Sequence, residues 1–246
     1  MSEIAYRIRR SDRARRVRVS VDALEGVEVV LPRRGTERDA REAMRELGPW
    51  VARRLAQIDR ARAQLGRREG FLPYLGGELR LVAEPGRTRV HRRADDLLVP
   101  GGGRRGGPPG EGSVGRAGSG PSGAGPAGAG SDWRAAVERW YRRAAREEVA
   151  PRLDRACAAA GTRWTRLSIR GQRTRWASCS PSGAMSFNWR LLLAPEPVLD
   201  AVVWHEVCHL DVPDHSPRFW ALLERRCPDH RAHQRWLRRY GPALVL

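Results

Sequence analysis

The run Pro197-Val198-Leu199-Asp200-Ala201-Val202-Val203-Trp204 leads without a breaker into His205-Glu206-Val207-Cys208-His209, and this stretch constrains the fold more than any other. Pro197 can open a helix at its first position and Pro213 stops it soon after Leu210, so one helix is expected here. Four residues make about one turn, which puts the imidazoles of His205 and His209 on one face. Because the preceding run is nearly all apolar, two histidines and a carboxylate stand at the rim of a core, where polar groups buried without partners are costly. A metal ion held by both histidines supplies the partner, and Glu206, one step around the helix, can reach a water on that ion without being a ligand.

A catalytic site of this kind uses three protein ligands and keeps a fourth position for water. His215 is the leading third ligand, since it follows Pro213-Asp214 just after the helix ends and a short turn can return it to the metal. Glu224 and Asp229 are rival carboxylate ligands. The His209 to His215 spacing equals that of the metzincins, but position 212 is Val rather than Gly and no Met follows, so that family is excluded. Ser216-Pro217 caps and opens a second helix that places Phe219, Trp220 and Leu223 under the metal site. A last helix, about Asp229 to Tyr240, carries His230 and His233 on its surface, where they receive no role. His91 sits among arginines with no ligand partner nearby.

Alternating β-branched residues in Tyr6–Arg9, Val17–Val21 and Val27–Leu31 predict short strands of a small antiparallel sheet, with a turn at Leu24-Glu25-Gly26. From Thr36, a cap, to Gly66 the apolar spacing becomes helical, and Gly48-Pro49 is read as a break that makes a helical hairpin. Phe71–Val82 and Asp96–Pro100 are again strand-like. Residues 101–130 hold 14 glycines and 4 prolines, a composition unable to bury enough apolar surface to offset its ordering entropy. Three regions are therefore expected: a β-rich part at 1–100, a flexible linker or insertion at 101–131, and a main domain at 132–246. In the last, an apolar stripe from Trp133 to Cys157 marks a helix that Pro151 should kink or split. Trp164–Arg170 and Thr174–Cys179 read as strands, and Ser180-Pro181-Ser182-Gly183 turns the chain into Ala184–Trp189 as a hairpin.

The chain carries a net charge of +18, and all 46 of its basic residues are Arg. Such a field attracts nucleic acid or nucleotide phosphates, although a total lack of Lys also matches GC-rich coding with many arginines simply solvated. The start has no secretion signal and no stretch nears the roughly 18 apolar residues of a membrane span, so a soluble, cytoplasmic protein is expected, with no membrane partner. Cys157, Cys179, Cys208 and Cys227 form no Cys-x-x-Cys pair, which argues against a zinc ribbon or disulfide framework. The parts predict metal-assisted hydrolysis with Glu206 as general base. The upstream hairpin offers an edge on which an extended peptide can lie, with Arg175, Trp176, Ser178 and Asn188 near the cleft. An equal reading makes Trp176 and Trp189 core and Ser178 and Asn188 turn-stabilising.

Arg175-Trp176-Ala177-Ser178-Cys179-Ser180, Asn188-Trp189-Arg190-Leu191, His205-Glu206-x-x-His209-Leu210 and His215-Ser216-x-x-Phe219-Trp220 resemble the YgjP-like metallopeptidases, relatives of the SprT-like and minigluzincin proteins. The likeness covers about 132–240 and extends loosely to Ser11–Arg16 and Tyr74-Leu75-Gly76. It implies an α+β, zincin-like domain with helices on a small antiparallel sheet, one zinc ion on His205, His209 and His215, and Glu206 as the catalytic residue. The family's Trp-Gly-Ser-Cys is here Trp-Ala-Ser-Cys, a departure of one methyl at Ala177. A zinc metallopeptidase acting on polypeptide is the leading expectation. A metal-dependent nucleoside triphosphate pyrophosphatase lacks a Gly-rich phosphate loop or magnesium carboxylates. A basic, nucleic-acid-associated SprT-like protease rests on charge alone.

Overall fold

A computed structural model describes residues 4–101, 132–172 and 174–246; the linker expected at 101–131 lies, beyond Gly101, outside the described residues. The chain groups into two compact units, Met1–Gly66 with Leu237–Val245, and Arg67–Trp236 with Leu246. Composition divides the chain at 101–131, whereas residues 67–101 group with the second unit.

In the first unit, β1 (Tyr6–Ser11), β2 (Arg18–Asp22) and β3 (Gly26–Pro32) form a sheet in the order β1-β3-β2. The β2–β3 hairpin is antiparallel, and its turn is held by Asp22 Oδ1 accepting from Leu24 and Glu25 N. β1 lies on the other edge and runs parallel to β3, which corrects the purely antiparallel expectation. A period of two reports which face a side chain takes and is the same for either strand direction. Parallel register sets Arg7 opposite Glu28, and the buried Glu28 carboxylate accepts from Arg9 at 3.1 Å. Val27, Val29 and Leu31 pack with Ala40, Met44 and Val51 of α1 (Glu37–Leu65). That helix is a single element with Pro49 inside it, so the expected hairpin and Gly48-Pro49 break are not formed. Met44, Val51 and Ile58 follow at intervals of seven, so one buried stripe runs through the proline and outweighs its lost hydrogen bond.

The second unit opens with β4 (Phe71–Tyr74), β5 (Gly77–Glu84), β6 (His91–Arg93) and β7 (Asp96–Pro100), ordered β4-β5-β7-β6. Next come α2 (Trp133–Ala160), β8 (Arg166–Arg170), β9 (Ala177–Cys179) and β10 (Ala184–Asn188), a 3₁₀ turn over Trp189–Leu193, then α3 (Glu196–Cys208), α4 (Pro217–Arg226) and α5 (His230–Tyr240). The architecture is α+β. α2 is not split by Pro151, whose ring faces solvent while Val149, Leu153 and Cys157 on either side are buried. The β9–β10 hairpin forms as expected, but β8 joins β10 in parallel, so this sheet too is mixed rather than antiparallel.

Two ties within this unit fix the start of α3. The tight turn between β4 and β5, left-handed at Leu75 and Gly76, sends Leu75 N to Leu192 O at 2.8 Å and sets Gly76 beside Pro195, where an added Cβ would make ordinary contact, 3.6 Å from its Cα. Arg152 of α2, 9% exposed, bonds Glu196 and, at 3.0 Å, Asp200 in the first turns of α3, and also Glu148 of its own helix. Tyr74 in turn donates to Glu148 at 2.9 Å.

Candidate metal centre

α3 is apolar on most of its circumference, with Val198, Leu199, Ala201, Val203, Val207 and Cys208 buried, so the polar side chains near its C-terminal end are held in fixed places by the core around them. His205 lies in its last turn and His209 is its C-cap residue. The backbone then tightens through Leu210 N to Val207 O and Val212 N to Cys208 O, and the chain turns back at Pro213-Asp214 to bring in His215. Asp214 Oδ1 accepts from Ser216 N at 3.2 Å and fixes that turn.

The three imidazoles meet at their Nε2 atoms: His215 to His205 is 3.0 Å and His215 to His209 is 3.2 Å. Ligands 2.0–2.1 Å from a tetrahedral zinc would stand about 3.3 Å apart, so the set is close to the dimensions of one ion. His209 Nδ1 is 3.1 Å from the Val212 carbonyl, which can only accept; the ring proton is therefore on Nδ1 and the Nε2 lone pair points at the other two rings. Burial, with the neighbouring imidazoles His209, His215 and His230, pushes His205 down to about 3, and burial also lowers His209. Both are neutral at physiological pH, the form that binds metal. Among the described residues these three are the one group placed to hold an ion, and they fit it.

Glu206 is 5% exposed, and burial pushes its carboxyl up to about 8. A divalent cation beside it would oppose that shift and favour the carboxylate. β9 passes the same place, since the Cys179 thiol is raised to about 11 by burial and then by the charge of Glu206. All four cysteines are free, with Cys157, Cys208 and Cys227 also raised by burial, so none is primed as a thiolate.

Beneath the imidazoles lies Phe219, wholly buried, stacked on His209 at 4.4 Å and edge-on to His205 and His215 at 4.9 Å each. Trp220 stacks on His215 at 5.5 Å. The expected packing of Phe219, Trp220 and Leu223 is thus observed. His230 is not on the surface, as α5 was expected to place it: it is 2% exposed, with Nε2 at 2.8 Å from Glu224. That pair, joined by Arg231 at 3.3 Å, occupies the Glu224 carboxylate and removes it as a ligand rival, and exposed Asp229 is not in the cluster either. A lone histidine in a polar helix carries no hydropathy signal, so sequence gave no means of placing it.

Of the hairpin residues, Arg175 is exposed, Trp176 is half-buried and its carbonyl accepts from Asn188 N at 2.7 Å, and Ser178 pairs with Ser186. Asn188 is buried; its amide donates to Gln172 O and Arg175 O while its Oδ1 caps the 3₁₀ turn at Arg190 N. It thereby shapes the loop that presents Arg175. Trp189 is core, 5.7 Å from Tyr141.

Among the described residues no helix is long and apolar enough to cross a membrane. No curated protein and no solved structure matches the chain. Residues 122–240 match the family model described as YgjP-like, metallopeptidase domain. That span contains the three histidines and Glu206, and a metallopeptidase domain implies a metal cofactor and would act on a polypeptide. Over residues 122–240 the chain is thus similar to the YgjP-like metallopeptidase domain.

Proposed function

We propose that this domain is a zincin-like zinc metallopeptidase that hydrolyses peptide bonds, with one ion held by His205, His209 and His215 and with Glu206 as general base. The observation that carries the reading is the convergence of three Nε2 atoms at 3.0–3.2 Å beside a buried carboxylate. An all-imidazole set leaves the cation its full charge and suits zinc among the divalent metals. Bound by these three histidines, zinc would supply the Lewis acidity that brings a water's pKa towards neutrality and polarises the scissile carbonyl.

The chain's own groups do the rest. Glu206 takes the proton from that water as it attacks the carbonyl carbon and delivers it to the departing amine nitrogen. Its burial keeps bulk water from competing for that proton. Among the described residues β9 pairs with β10 alone, which leaves its other edge to pair with an extended substrate by strand addition. On this reading Trp176 and Ser178 line the peptide's path, Arg175 meets an acidic or carbonyl group of the substrate, and Asn188 holds the loop that carries Arg175.

The test is metal content together with turnover. The purified chain should hold one zinc ion and cleave casein or a peptide library. Glu206→Gln should keep the zinc and lose about 10²–10⁴-fold in rate, while His215→Ala should lose the zinc. Pyrophosphate release from nucleoside triphosphates without peptide cleavage would sink the peptidase reading, and a full zinc complement in His215→Ala would reject the ligand set.

A further inference from the structure

The three ligands are not supported alike. His205 and His209 stand on α3, and His209 is further fixed by donating Nδ1–H to Val212 O. His215 lies on the connection to α4, is exposed, and has no hydrogen bond from Nδ1 among the described residues. Metal-binding histidines ordinarily use that second nitrogen to set the ring's orientation. What His215 has instead is aromatic: Trp220 lies nearly parallel to it, 28° between planes at 5.5 Å, and Phe219 meets it edge-on at 4.9 Å.

Trp220 is itself braced. Its indole stacks on His230 at 5.9 Å with 20° between planes, and His230 is pinned by Nε2 to Glu224 at 2.8 Å. Glu224 belongs to α4, the helix that carries Trp220, so the bond closes the α4–α5 corner around the indole. Burying an imidazole here leaves its Nδ1 without a partner among the described residues, an arrangement a plain apolar ring would avoid. The hydrogen bond to Glu224 is what a histidine adds at this position.

We propose that Trp220, braced by the His230–Glu224 pair, is the positioning element for the third metal ligand, taking the place of the hydrogen bond that His215 lacks. The inference rests on the three-histidine reading above. It makes metal affinity depend on residues that do not touch the ion.

The experiment is a zinc titration of chelator-stripped protein against a chromophoric competitor, with the visible spectrum of the cobalt(II)-loaded protein as a second readout. Trp220→Ala should raise the zinc dissociation constant by about 10–100-fold and move the cobalt spectrum towards that of His215→Ala, while the circular dichroism of the metal-free protein is kept. Trp220→Phe, which restores a flat ring, should recover most of the affinity. Glu224→Ala and His230→Leu should each weaken zinc binding by several-fold; if Trp220→Ala does not fold, these two decide. Wild-type affinity in folded Trp220→Ala, or in both of the other variants, overturns the proposal. If the wild type binds no zinc, or His215→Ala binds it as tightly, the three-histidine reading fails instead.

Discussion

Phe219 shows how much of the centre depends on one side chain that bears no chemistry. Its ring touches all three imidazoles and is wholly buried, so Phe219→Ala should lower stability by about 3–5 kcal/mol, read from urea denaturation, and Phe219→Leu by much less. The shared face of His205 and His209 was legible in the sequence because helical periodicity converts a spacing of four into neighbouring side chains. Phe219 and Trp220 were legible because Ser216-Pro217 fixes where their helix begins. His230 was not, since its burial depends on a bond to Glu224 across a helix corner, and nothing in the order of residues reports that pairing.

Helix α1 is set by its ends. Thr36 Oγ1 accepts from Asp39 N and Asp39 accepts from Thr36 N, a reciprocal cap, and Gly66 closes the helix in the left-handed conformation. Thr36→Ala should cost about 1 kcal/mol in thermal or chemical unfolding. The Thr36 backbone and hydroxyl bonds hold the Asp39 carboxyl below the ordinary aspartate range. A group depressed in the folded state stabilises fully above its unfolded pKa and loses that contribution as pH falls through the folded one. Stability should therefore drop below about pH 4, and Asp39→Asn should flatten this drop in unfolding curves measured from pH 5 to 2.5. Arg152 fixes α3 in a comparable way, and Arg152→Ala should cost about 2 kcal/mol, because the carboxylates it leaves are partly exposed and can hydrate. Caps were readable from sequence; the continuity of α1 through Pro49 and of α2 through Pro151 was not. A proline costs a helix about 3 kcal/mol, and only the tertiary burial of Met44, Val51 and Ile58, or of Val149 and Leu153, shows that this is outweighed. Strand direction was equally hidden, because β1 and β8 alternate identically whether parallel or antiparallel to their neighbours.

At the scale of the molecule, metal and fold are linked. An ion that binds only the folded chain adds about 4 kcal/mol at a thousand times its dissociation constant, so chelation should lower the melting transition by about 8–16 °C in calorimetry. The composition of residues 101–131 marks a seam in the sequence, yet the second unit takes secondary structure from both sides of it. Tyr141 donates to Pro73 O at 2.6 Å, Tyr74 to Glu148 at 2.9 Å, and Leu75 N to Leu192 O at 2.8 Å. These ties hold the β4–β5 turn against α2 and against the 3₁₀ turn that leads into α3. Residues 1–101 and 132–246, produced as two separate chains and mixed, should therefore elute together as one complex. Residues 132–246 produced alone should regain a folded state only when the piece bearing Tyr74 and Leu75 is added back.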